Sequence, residues 1–311
     1  MTQVGDLLQD HITFEEAQSI VQGMNVLSDF FFNYLMEDEE RAKEVASIII
    51  SKVMGFKVVV DDVTPQKTFM GIDKGNHGIR LDALVKAKNA EGENAPKASS
   101  VAYDLEMENR KADRKSLPKR HRFYSALTDA KIFNEGKDYD ELSDYVSITF
   151  LSFDPFGAGD MYYEVRTTLV SHPDIDYDDG RINYFFYGGG KNNIPGDKLH
   201  SKSVSELVKY IVEGEIDSEP DNDLIRLDEI VSSVKKKSEV TRAYMKEWDR
   251  QRIHDKELTE KVKKETAINI IQDDHSKGMT DDEIVAYISR IFGFSEEEIA
   301  DLLKEALSYS K

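Results

Sequence analysis

Apolar positions near the start of the chain recur at helical steps. Thr13-Phe14-Glu15-Glu16 has the form of a capping box, with the Thr hydroxyl accepting from a free backbone N–H and Glu16 reaching back. An apolar cluster follows at Phe30, Phe31, Phe32, Tyr34 and Leu35. From Glu39 to Val53, residues Ala42, Val45, Ala46, Ile49 and Val53 step by three and four, which predicts a helix stopped by Gly55. The period then changes. Phe56 to Val60 is a short β-branched run, and Gln66 to Ile72 a weaker one. Ile79 to Val85 alternates, with Ile79, Leu81, Ala83 and Val85 on one side. Lys88 to Ser100, rich in Ala, Asn, Glu and Lys, predicts a mobile connection. Val101 to Glu108 predicts a strand with Ala102, Asp104, Glu106 and Glu108 on one side.

Pro118 suits the first turn of a helix running to about Ile132. Strands are expected at Tyr145–Phe153, Met161–Leu169 and Arg181–Tyr187. Ser203 to Glu206 has the form of a capping box opening a helix to about Val212. Acidic residues surround Pro220, which predicts a boundary: a main domain over 1–216 and a helical region over 217–311. Within the second, one long charged helix is expected from Leu224 to Asp273. Two short helices follow, with capping boxes at Thr280–Glu283 and Ser295–Glu298 and Gly293 between them.

Composition narrows the classes. The chain has 311 residues, 40% of them hydrophobic, which is enough for a sizeable core and excludes a wholly disordered chain. Cysteine is absent, which excludes a disulfide scaffold, a thiolate zinc site and a cysteine nucleophile, and suits a reducing cytoplasm. No apolar run approaches the roughly 20 residues a membrane helix needs, and no secretory signal is visible, so a cytoplasmic protein without membrane partners is expected. The net charge of −19 opposes nonspecific nucleic-acid binding through overall charge, while leaving room for a local basic groove.

Candidate chemistry centres on Asp82 on one strand and Glu106 and Glu108 on the next. If the strands are neighbours, the carboxylates converge and repel one another when ionised, which a hard divalent cation, Mg²⁺ or Mn²⁺, would relieve. The alternative is a set of solvated charges on the open face of an antiparallel sheet. Directly afterwards come Arg110, Lys111, Arg114, Lys115, Lys119, Arg120 and Arg122, with His121, Phe123 and Tyr124 among them. Such cations bind phosphate, and Phe123 or Tyr124 could stack on a base. The alternative is a basic helix balancing acidic neighbours, with Phe123 in the core. Other signals are weak. Asp174 to Gly180 reads as an acidic turn, Gly188 to Lys191 as a flexible loop, and Trp248 as a locally packed ring.

Four segments together carry a resemblance. They are Leu27-Ser28-Asp29-Phe30-Phe31-Phe32, Ile79-Arg80-Leu81-Asp82, Tyr103-Asp104-Leu105-Glu106-Met107-Glu108, and Leu117-Pro118-Lys119-Arg120-His121-Arg122-Phe123-Tyr124. In this order, over about Val26 to Tyr187, the chain resembles the PD-(D/E)XK nuclease family transposases, the recombination-promoting nuclease group. The resemblance implies a restriction-endonuclease-like α/β fold, a central mixed sheet flanked by helices, here with a helical C-terminal tail. It implies Mg²⁺-dependent (or Mn²⁺-dependent) hydrolysis of DNA phosphodiesters leaving 5′-phosphates, in recombination, mobile-element activity or defence. By that similarity Asp82 and Glu106 are metal ligands, and Glu44 on the early helix is a further one. Glu108 stands where the wider superfamily has Lys and this branch commonly Gln, so it is expected to bind a second metal or orient the water. The missing cation is then expected from Lys119, Arg120 or Arg122. DNA contacts are expected from Arg114, Lys115, Lys119, Arg120, Arg122 and Tyr124. The long tail helix suggests a homodimer that would place two sites on one duplex. The second functional class is a nuclease-fold protein with weak or no catalysis, acting as a DNA- or protein-binding module.

Overall fold

The computed structural model describes residues 11–70, 77–89, 101–133 and 135–308. Most of the Lys88–Ser100 connection and the end of the weak Gln66–Ile72 strand lie outside the described residues. Two compact units divide the chain: Phe14–Arg242, and Ala243–Lys311 with the first thirteen residues. The division falls inside a helix, well beyond the acidic segment around Pro220.

The larger unit opens with helices α1 (Phe14–Gly23), α2 (Asp29–Met36) and α3 (Glu39–Met54). Asp38 caps α3 by accepting from the Arg41 N–H at 2.9 Å, and Gly55 ends it in the left-handed region at φ 74°. The sheet contains β1 (Val58–Phe69), β2 (Ile79–Asn89), β3 (Val101–Glu108), β4 (Asp144–Leu151), β5 (Tyr162–Val165) and β6 (Arg181–Tyr187), in the order β1-β2-β3-β4-β6-β5. β1, β2 and β3 run antiparallel, β3, β4 and β6 run parallel, and β5 returns antiparallel to β6. The two runs expected at Phe56–Val60 and Gln66–Ile72 are one edge strand. It passes through Pro65 with a register shift at Val60/Asp62, because an edge strand can spare the N–H that Pro lacks.

Helix α4 (Leu117–Ile132) links β3 to its parallel neighbour β4, preceded by a 3-10 turn at Lys111–Lys115. Helices α5 (Lys198–Glu213) and α6 (Asn222–Lys235) complete the unit. α5 begins earlier than the Ser203 capping box predicts. Asp197 caps it by accepting from Leu199 and His200, so Ser203 sits within the helix and its hydroxyl bonds Lys52 and Asp221 instead.

The two faces of the sheet differ. Tyr184 and Phe186 lie against Val53 and Met54 of α3 and Val204 of α5, on an apolar face that also carries Leu105, Ile148 and Phe150. Alternation turns Asp104, Glu106, Glu108, Ser147, Thr149 and Asn183 to the other face. There α4 covers them with its own buried His121, Ser125 and Thr128. The interior beneath α4 is thus unusually polar.

The expected helix from Leu224 to Asp273 is interrupted at Lys236 and Lys237, giving α6 and then α7 (Ser238–Ser276). Helices α8 (Asp281–Phe292) and α9 (Glu296–Ser308) follow, each opened by its capping box, with Gly293 left-handed between them. Ala267, Ile271, Ile284, Ile288, Phe294, Ile299, Leu302 and Ala306 form the apolar core of this second unit. Among the described residues no helix is long and apolar enough to cross a membrane.

Candidate metal and nucleic-acid site

β2 and β3 are neighbours, and their ladder stops where the acids begin. Pairing runs from Ala87↔Val101 to Ala83↔Leu105, and the next step would set Asp82 opposite Glu106. There the side chains take over the bonding. The Asp82 N–H donates to Glu106 Oε1 at 3.1 Å, and the Met107 N–H donates to Asp82 Oδ2 at 3.0 Å. Each bond uses one carboxylate oxygen and fixes the two acids across the gap between strands.

The open-face alternative fails here, because all of β3 is buried. Burial pushes the Asp82 carboxyl up to about 6, with Asp29 and Glu108 pushing the same way against the Met107 N–H and Arg80. Burial, and then the charges of Asp104 and Asp82, hold Glu106 well above the usual carboxylate range. Asp104 is wholly enclosed and is pushed up to about 7 by burial, although the Tyr145 hydroxyl donates to its Oδ2 at 2.7 Å. It also hydrogen-bonds the Glu106 side chain two residues on, a contact that lowers Asp104 and raises Glu106. Asp82, Asp104 and Glu106 thus resist ionising together, and each is held by a backbone N–H, the Tyr145 hydroxyl or one another.

Two members of this cluster were not singled out as site residues by the sequence. Asp104 shares the face of Glu106 and Glu108, and the alternation of β3 already marked it. Asp29, in the first turn of α2, interacts electrostatically with Asp82, Glu108, Arg80 and Arg110, and burial raises its carboxyl. The early-helix acid at the cluster is therefore Asp29. Glu44 is placed elsewhere: on the outer side of α3 it accepts from Arg226 Nε at 2.7 Å and Nη2 at 3.1 Å.

Glu108 is buried and ion-paired to Arg120 of α4, and its Oε1 accepts from the Arg110 N–H at 2.8 Å. Its two oxygens therefore answer cations and a backbone donor. Among the described residues no group of three or more His, Asp or Glu side chains is arranged to hold a metal ion. A cation bound by Asp82 and Glu106 would need those carboxylates to turn from their present partners.

The basic segment separates into roles. Arg120 turns inward to Glu108, with its guanidinium 6.0 Å from the centre of the Tyr124 ring. Tyr124 is half-buried and packs on the apolar patch of Ile79, Leu81, Leu84 and Leu127. Arg114 donates from Nε to the Pro155 carbonyl at 2.9 Å. Lys111, Lys115, Lys119 and Arg122 are exposed, and Phe123, four residues beyond Lys119, keeps 41% of its surface in solvent. Phe123 is thus the outward aromatic of α4, and Tyr124 the inward one. His121 is buried against Ser147 and Phe185, and burial holds its imidazole down at about 3, so it stays neutral.

No family model, no curated protein and no solved structure matches the chain.

Proposed function

We propose that the protein is a metal-dependent DNA endonuclease of restriction-endonuclease-like fold, acting in recombination or on mobile elements. The observation that carries this reading is the acidic cluster at the parting of β2 and β3, which α4 meets through Arg120 while Lys119 and Arg122 of the same helix are exposed. Asp82 and Glu106 would hold Mg²⁺ or Mn²⁺, with Asp29 as the nearby third acid. When bound, such a cation supplies an activated water and offsets charge developing on the phosphoryl group. Lys119 and Arg122 bind flanking DNA phosphates, and Lys111 and Lys115 extend that contact. Arg120 neutralises Glu108, so an acid at this position does not repel the incoming phosphate.

One observation favours a second reading, a nuclease-fold module that binds DNA without cutting it. Glu108 and Asp82 are already satisfied by Arg120 and by the Met107 N–H. One experiment separates the two. Supercoiled plasmid is incubated with the protein in Mg²⁺, Mn²⁺ or EDTA, beside Asp82→Asn and Glu106→Gln. We expect metal-dependent nicking that both substitutions reduce by at least about 100-fold, the scale on which a positioned catalytic group contributes. DNA binding without nicking in any metal would establish the module instead. Nicking that survives both substitutions would remove the site from Asp82 and Glu106.

A further inference from the structure

The polypeptide leaving β4 forms a loop that starts beside the acidic cluster. Leu151 pairs with Glu108, and the next residue, Ser152, donates its N–H to the Glu108 carbonyl at 3.3 Å and its hydroxyl to Asn109 Oδ1 at 2.6 Å. Asp154 then organises the loop around its own carboxylate. Its Oδ1 accepts from the N–H groups of Phe156 at 3.0 Å and Gly157 at 2.7 Å and from the Tyr163 hydroxyl at 2.9 Å. Its Oδ2 accepts from the Gly159 N–H at 2.8 Å. Gly157 and Gly159 supply the left-handed backbone this wrapping needs, at φ 86° and 77°. Arg114 ties the loop to the basic segment through Pro155, so closely that a Cβ on Gly157 would lie 2.8 Å from its Nη2.

This pinned loop holds Phe156 out in the open. The ring meets Tyr163 and Phe185 edge-on, at centroid separations of 5.0 and 5.3 Å, and still keeps 42% of its surface in solvent. T-shaped neighbours fix the plane of a ring, and the 42% of Phe156 left in solvent is the surface a base can reach. A partly exposed aromatic ring fixed by its neighbours, on a loop tied through Arg114 to a cationic segment, has the make-up of a base-stacking platform. Paired bases inside a duplex already stack on one another and cannot use it.

Resting on the nuclease reading above, we propose that the substrate presents an unpaired base beside the scissile phosphate and that Phe156 stacks on it. The preferred DNA is then single-stranded, or carries a flap, bulge or junction. The cations of the Lys111–Arg122 segment hold the phosphates of either form, and Phe156 discriminates between them.

The test measures binding by fluorescence anisotropy in EDTA, so that cleavage plays no part. Full-length wild type, Phe156→Leu and Phe156→Trp are each titrated against a labelled single strand and the matching duplex. Leucine keeps the ring's apolar packing in the loop without a stacking face, and tryptophan restores one. We expect Phe156→Leu to lose about ten-fold in single-strand affinity, the scale of one base–aromatic stack, with duplex affinity unchanged and Phe156→Trp near wild type. Equal single-strand affinity for wild type and Phe156→Leu would overturn the proposal while leaving the nuclease reading intact. Equal losses on both DNAs would also overturn it, by making Phe156 a support of the loop. Absence of DNA binding by wild type would bring down the nuclease reading and this proposal with it.

Discussion

Asp104 is buried, which pushes its carboxyl up to about 7, and burial pushes Asp82, across the strand gap, up to about 6. That has a consequence for stability with a definite sign. An unfolded Asp releases its proton near about pH 3.9, whereas Asp82 and Asp104 in the folded protein hold theirs to about 6 and about 7. Between those limits the native state binds more protons than the unfolded chain, so stability falls as pH rises. Acids with lowered pKa values, such as Asp154 and Asp221, have the opposite slope but titrate below this window, and buried neutral His121, with the same opposite slope up to about pH 6.5, offsets only part of the fall from the raised acids. We expect the metal-free protein to melt at a higher temperature at about pH 5 than at about pH 7.5, and Asp104→Asn to shrink the difference. Circular-dichroism melts across that range check this; a melting temperature that climbs with pH in both proteins would contradict it. At this scale the sequence marked Asp82, Glu106 and Glu108 by spacing alone. Alternation put Asp104 on the same face, but its place opposite Leu84 and its enclosure are set by strand register and packing, which spacing does not show. The sequence placed the early-helix acid at Glu44 because a helical pattern shows which residues share a face, but not which face meets the sheet.

At the scale of elements, α3, α5 and the N-terminus of α6 meet at a polar junction of Lys52, Ser203 and Asp221. The Lys52 side chain is only 3% exposed and is ion-paired to Asp221, which also caps α6 through the Leu224 N–H at 2.9 Å. Ser203 bonds both, at 2.6 Å to Lys52 and 2.7 Å to Asp221. Removing the carboxylate leaves an ammonium buried beside a lone hydroxyl and an uncapped helix. We expect Asp221→Ala to cost about 3 kcal/mol of stability in urea titration. The double variant Lys52→Met with Asp221→Ala should recover part of that loss, and equal losses in the two would show that the buried charge is not the cause. This junction explains the misplaced helix start. Ser203 and Glu206 have the spacing of a capping box, but Asp197 caps the helix six residues earlier, and Ser203 serves the tertiary contact. Local signals succeeded where nothing competed with them: β3 and β6 run over the residues their alternation marks, and α8 and α9 begin at their capping boxes. The runs at Phe56–Val60 and Gln66–Ile72 join through Pro65 for the opposite reason, since the cost of a proline depends on whether the strand has a second neighbour.

At the scale of the whole molecule, the two compact units have separate cores. Every residue of the acidic cluster, the basic segment and the Asp154 loop belongs to Phe14–Arg242. We therefore expect a fragment of those residues to fold cooperatively and to keep the metal response and DNA affinity of the full chain within about three-fold, as a domain with its own core does. Calorimetry and anisotropy on the fragment check this. A fragment that melts without a cooperative transition would show that the sheet unit depends on the helices beyond Arg242. Ending the chain near Ser218 is a different change, because it removes α6 and strips Lys52 of its partner.

The sequence by itself determined the kinds and order of most elements, the mixed character of the chain and the candidate acids, because hydrophobic period, caps and turn residues act over a few positions. Only the tertiary structure decided which acids come together and in what surroundings. The burial of β3, the arrival of Asp29, the bonding of Asp104 to Tyr145 and Glu106 and the pairing of Glu108 with Arg120 all follow from strand register and from α4 covering one face. Those are long-range choices made by packing, and no local spacing records them.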